Sequence, residues 1–229
     1  MDVPPEQQID RDRTWRRSER RVDRYYTSPH ATIALLSSFV GMHLLTGLED
    51  WASGRTSALG VLFGERSTEV LVLFGGRQHD LVAQGQVWRL LTCGFLHADL
   101  MHIGMNALAF WGLGRMCEAV FGSARLLALF CTAVVGGAIL SQAGGGPLSI
   151  GASGGVFGLM GALVAFGWRR RRSMGPEMRA MFGRQLYPWI LLNLGIGFAL
   201  PFIDNLGHIG GLLTGLVLGL LLKERITGR

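Results

Sequence analysis

Six stretches of this chain, residues 31–48, 98–114, 126–143, 151–168, 186–203 and 206–222, each run seventeen or eighteen residues with few or no charges. A helix advances about 1.5 Å per residue and must cross roughly 30 Å of hydrocarbon, so runs of this size can span a bilayer. They predict an all-α fold: a polytopic membrane bundle of six transmembrane helices. The composition agrees, with 49% apolar and only 17% charged residues. So does the abundance of glycine, 34 residues, much of it inside the runs. Small residues let membrane helices approach closely, where a soluble helix would be weakened by them.

The formal charge of +6 invites a nucleic-acid reading, which its distribution opposes. With six spans and a cytoplasmic N-terminus, Arg55, Arg66, Arg77 and Arg89 are the cationic residues outside, and the other eighteen Lys and Arg fall inside. Such an asymmetry orients a membrane protein with its positive segments in the cytoplasm. The expected organisation is a charged cytoplasmic tail over residues 1–29, a six-span domain over 30–222 and a short cytoplasmic tail over 223–229. The highly charged first thirty residues lack the apolar core of a cleavable signal peptide. The first outside connection, 49–97, is long. Its short apolar pieces at 58–64 and 70–75 are predicted as interfacial or re-entrant helices. Cys93, Cys117 and Cys131 match neither a metal motif nor a disulfide framework and read as structural.

Polar groups inside spans are costly and mark functional sites. In the predicted topology His102 and Asn106, Ser153, and His208 all fall at the outer ends of three different spans. Ser153 stands in Gly151-Ala152-Ser153-Gly154, where a glycine-rich loop enters a helix. It could be a helix cap, since serine is a favoured one, or a nucleophile beside backbone N–H groups able to hold an oxyanion. His208 lies in Gly207-His208-Ile209-Gly210-Gly211, and with Gly211 and Gly215 it shares one helix face. A matching stripe in the fourth span, Gly154, Gly158 and Ala162, would bring His208 beside Ser153 if the two stripes meet. An imidazole there can take the serine proton and return it to a leaving amine. His102 and Asn106, spaced i, i+4, share a face and can both point N–H groups at one oxygen. His97 lies off that face and reads as structural. Asp204, four residues before His208, is either a third member of a triad or a turn and cap residue.

Trp88-Arg89, His97-x4-His102-x3-Asn106, Arg115-x2-Glu118-x3-Gly122, Gly151-Ala152-Ser153-Gly154 and Gly207-His208-x2-Gly211-x3-Gly215 occur in this order. Over residues 30–222 the chain thereby resembles the rhomboid intramembrane proteases. The resemblance implies a Ser153–His208 dyad in a cavity opening to the outside, with His102, Asn106 and the Ser153 N–H binding the oxyanion. It implies Phe157 against the histidine ring, with Gly151, Gly154, Gly211 and Gly215 supporting the site. Lateral entry of substrate near residues 189–202 is implied too. The substrates would be single-span membrane proteins, cut in or beside their membrane segment. No metal or other cofactor is called for. The location implied is a bacterial inner membrane with both termini cytoplasmic.

Other classes fit less well. A zinc protease would carry His-Glu-x-x-His, which is absent. An intramembrane aspartyl protease needs two Asp within spans. A transporter would distribute polar groups through the full depth of the bundle. The remaining rival is a proteolytically silent rhomboid-like protein that binds membrane clients, which loss of the serine or histidine would mark.

Overall fold

The computed structural model describes residues 29–225, apart from 147, 173 and 201. The expected tail at 1–29 therefore lies outside the described residues except for Pro29, as do residues 226–229 of the C-terminal tail. Six long helices form the body: α1 (His30–Ala52), α2 (Leu100–Phe121), α3 (Ser123–Ala143), α4 (Ser153–Arg170), α5 (Leu186–Ala199) and α6 (Asn205–Leu221). Each overlaps one of the six apolar runs. Helices α1 and α3 have both the length and the composition to cross a membrane, and α6 is a shorter apolar helix. Helices α2 and α4 carry polar or charged residues such as His102, Asn106 and Arg169, which lower their hydropathy.

Helix α4 is the axis of the bundle. All thirteen residues from 155 to 167 are buried, so this helix is apolar around its whole circumference rather than on one face. Its most extensive partner is α6, followed by α3. The two glycine stripes do meet. A Cβ on Gly211 would overlap the carbonyl oxygen of Gly154, one on Gly215 that of Gly158, and one on Gly219 the backbone of Ala162. Beside this contact an aromatic cluster fills the core, with Phe39, Phe110 and Phe130 ring centroids 5.3–5.6 Å apart.

Helix α5 is shorter than its apolar run. It stops at Ala199, after 14 residues, and Leu200 is extended (φ −115°, ψ 112°). Pro201 follows in the sequence, and the residue before a proline is driven out of the helical region by the pyrrolidine ring. Helix α5 touches α4 and α6 only marginally, and Trp189, Leu191, Phe198 and Phe202 are exposed.

The connection from α1 to α2 holds short helices at Gly60–Phe63 and Thr68–Leu73, where the two apolar pieces were expected. Three of its arginines are buried, and each donates to at least one backbone carbonyl. Arg66 donates to the carbonyls of Gly60, Val61 and Gly64 and to His43 Nε2 (2.9 Å). Arg89 donates to those of Val72 and Gly76 while lying over the Trp88 ring. Arg77 donates to Gly146 at 2.9 Å. Arg77 also belongs to β1 (Arg77–Gln78), which pairs antiparallel with β2 (Leu148–Ser149) and ties the connection to the loop preceding α4.

At the opposite end of the bundle, Glu118 supplies the cap that α1 lacks locally. Pro29 at the N-cap offers no side-chain acceptor, and the fully buried Glu118 carboxylate accepts the Ala31 and Thr32 N–H groups, each at 2.9 Å. It also accepts the hydroxyls of Thr32 and Ser123, both at 2.7 Å, locking α1 onto the α2–α3 turn. Nearby, the start of the C-terminal tail is tucked in. Glu224 is buried against Arg169 and Arg170, and Arg225 N–H donates to the Val120 carbonyl.

Candidate active site

Ser153 is the first residue of α4, and the cap position before it is Ala152, without a side-chain cap. The serine hydroxyl is thus not used by its own helix. It meets His208 instead, with Nε2 and Oγ 2.9 Å apart. Asp204 begins α6 by accepting the Gly207 N–H, and His208 follows in the first turn, on the face that Gly211 brings against α4. The Phe157 ring, one turn beyond Ser153, stacks on the imidazole with centroids 4.4 Å apart and planes inclined by 15°. Only one rotational setting of the histidine satisfies both the stack and the hydroxyl.

His102 is oriented from α2. Asp99 caps that helix by accepting the His102 N–H at 2.8 Å. The Ala98 N–H donates to Nδ1 of the His102 ring (3.3 Å), so Nδ1 carries the lone pair and the neutral ring bears its proton on Nε2. That Nε2 faces Gly151, two residues before Ser153. Gly151 has φ +117°, and a Cβ there would stand 2.7 Å from the ring nitrogen, so both the backbone and the histidine require glycine. Asn106 is buried one turn further along α2, its amide donating to the His102 carbonyl at 2.9 Å. Its described hydrogen bond stays on its own helix rather than reaching Ser153.

His97 is buried between Phe39 and His102, with ring centroids at 5.6 and 5.1 Å. Asp204 forms no hydrogen bond with the His208 ring, whose Nδ1 has no partner among the described residues. Its carboxylate is occupied by Gly207 N–H and by the hydroxyls of Ser141 and Ser149. The cap reading of Asp204 therefore describes the geometry. Sequence reasoning did not find Ser141, Ser149 or Arg77, the last of which showed only as an isolated charge in the long α1–α2 connection.

A serine hydroxyl, a histidine fixed against it and a second histidine presenting an N–H across the same loop form a constellation suited to acyl transfer. Residues 84–225 match the Rhomboid domain. The chain belongs to the rhomboid family. It is 41% identical over 152 residues to the rhomboid protease GluP of Bacillus subtilis, covering 66% of this chain and 29% of that protein. Against RHOMBOID-like protein 5 of Arabidopsis thaliana it is 35% identical over 162 residues, covering 69% and 52%. Rhomboid-like protease 1 of Toxoplasma gondii is 32% identical over 170 residues, covering 71% and 56%. This rhomboid chain thus spans from under a third to just over half the length of these three relatives. Family membership makes it a multi-pass membrane protein, in keeping with the apolar helices α1 and α3.

Proposed function

We propose that the chain is an intramembrane serine endopeptidase that cleaves transmembrane-segment substrates in or near the outer half of the bilayer. The 2.9 Å approach of His208 Nε2 to Ser153 Oγ carries the reading. Relatives named as proteases support it. His208 takes the hydroxyl proton as Ser153 Oγ attacks the scissile carbonyl. The tetrahedral oxyanion is held by the Ser153 N–H, the Nε2–H of His102 and the amide of Asn106. Collapse breaks the C–N bond, and His208 delivers the proton to the leaving amine. Water, deprotonated by His208, then hydrolyses the acyl ester on Ser153. Each step uses the chain's own side-chain and backbone groups together with water, and calls for no cofactor.

The six helices are read as six spans, with both termini in the cytoplasm of a bacterial cell and the long α1–α2 connection outside. The arginine asymmetry supports this orientation. A water-filled cavity opening outward would supply the hydrolytic water. Single-span substrates would enter from the bilayer past α5, whose sparse contacts with α4 and α6 suit a movable element.

The test is cleavage of a reconstituted transmembrane substrate by Ser153→Ala and His208→Ala. Both variants are expected to fold and to lose cleavage. Undiminished turnover by either would refute the dyad, as would a fluorophosphonate label mapping to any residue other than Ser153.

A further inference from the structure

Asp204 collects more partners than a helix cap needs. Its Oδ1 accepts the Gly207 N–H at 2.9 Å, and its own carbonyl accepts the His208 N–H at 3.1 Å. Its Oδ2 accepts two hydroxyls, from Ser141 on α3 and Ser149 on β2. Arg77 Nη2 lies 3.9 Å from the same oxygen and donates to Ser141 Oγ at 2.8 Å. Arg77 is 1% exposed and faces Ser149 across the β1–β2 ladder. Among the described residues Asp204 is the carboxylate paired with this buried cation. One side chain thus joins the outer connection, the loop before Ser153, α3 and the first turn of α6.

We propose that Asp204 is a positioning residue for His208, and that the Arg77–Asp204 pair couples the outer connection to the Ser153–His208 contact. The inference rests on the serine-protease reading above. The first turn of a helix has N–H groups without intrahelical partners and frays unless they are held. His208 lies in that turn, and misplacing a reacting group by about 1 Å can cost on the order of a hundredfold in rate. A cap alone would be served equally by Asn. Asn in place of Asp204 would keep an acceptor for Gly207 but leave Arg77 as a buried charge without its counter-ion, which is strongly unfavourable. The two roles are therefore separable.

The experiment uses the full chain in lipid vesicles, with Asp204→Asn, Arg77→Met and the double variant. It measures kcat and KM on a transmembrane substrate, the rate of fluorophosphonate labelling at Ser153, and amide exchange over residues 205–208. Each single variant is expected to lower kcat and the labelling rate together, by about ten- to a hundredfold, with KM within about twofold of the parent. The double variant should be no worse than the poorer single one, because it removes both members of the pair. Wild-type kcat and labelling in Asp204→Asn overturn the proposal, and so does a loss matched by an equal loss of folded protein. If the parent chain neither cleaves nor labels, the protease reading fails by itself. Exchange then decides the positioning claim: faster exchange over 205–208 in Asp204→Asn supports it, and unchanged exchange overturns it.

Discussion

Gly211 packs so closely on Gly154 that a Cβ at position 211 would overlap the Gly154 carbonyl oxygen. The two glycines follow His208 and Ser153 along their helices, so this contact fixes the separation at which those two side chains meet. Gly215 on Gly158 and Gly219 on Ala162 extend the same seam. Gly211→Ala should force α4 and α6 apart. The expected cost is about 1–3 kcal/mol of stability, typical of overpacking, together with a marked loss of cleavage. Gly112→Ala, where a Cβ meets nothing within 4 Å, is the control: it should leave cleavage unchanged and not lower stability. Unfolding and cleavage assays on the pair of variants check this.

Gly151→Ala tests the loop that carries Ser153. At φ +117° an L-residue is strained, and the added Cβ would press on His102 Nε2. Cleavage should fall while α4 stays folded, as read by turnover alongside circular dichroism. Full activity in Gly151→Ala would mean that the His102 ring does not need to stay where it lies.

His102→Ala and Asn106→Ala should each slow cleavage by roughly one to three powers of ten, the usual cost of one oxyanion donor. The loss should appear in kcat rather than KM, because the oxyanion exists only in the transition state. Steady-state kinetics on the two variants decide it. A change confined to KM would assign these residues to substrate binding.

Glu118→Ala should destabilise the fold strongly, by about 3 kcal/mol, since it removes a buried charged acceptor from two N–H groups and two hydroxyls. Glu118→Gln, which keeps one acceptor oxygen, should cost less. Both are read from the unfolding midpoint. The folded fraction should retain its turnover, because Glu118 stands near the end of α2 remote from His102.

His97 lies in the connection before α2, where burial, reinforced by His102 and His43, pushes its pKa down to about 3. In the unfolded chain it would titrate near 6.5. Between those values the unfolded state holds the extra proton, so stability falls as pH drops from about 6.5 towards 3, by up to about 1.4 kcal/mol per pH unit. Above about 6.5 the group contributes no pH dependence. His97→Leu should therefore flatten the profile in that window, as unfolding midpoints at pH 7 and pH 5 would reveal.

The six helices were legible in the sequence because apolar length is a one-dimensional property, and each run became a helix near its expected bounds. The two small-residue stripes through which α4 and α6 meet were legible for a similar reason. Glycine at intervals of four marks a helix face before any partner is known. The shortening of α5 before Pro201 could have been read too, since that restraint is local.

The use of Ser153 and Asp204 could not. A serine at a helix entrance reads equally as a cap or a nucleophile, and the partner of Ser153, His208 at 2.9 Å, comes from a segment distant in the chain. Asp204 looked like a cap or a triad member, and its ties to Ser141, Ser149 and Arg77 come from segments distant in the chain. Arg66, Arg77 and Arg89 counted in the sequence only as charges outside the membrane, yet all three are buried. A buried polar group must find its partner within about 3 Å. Which group lies there is set by how the helices pack, and periodicity along the chain carries no record of it.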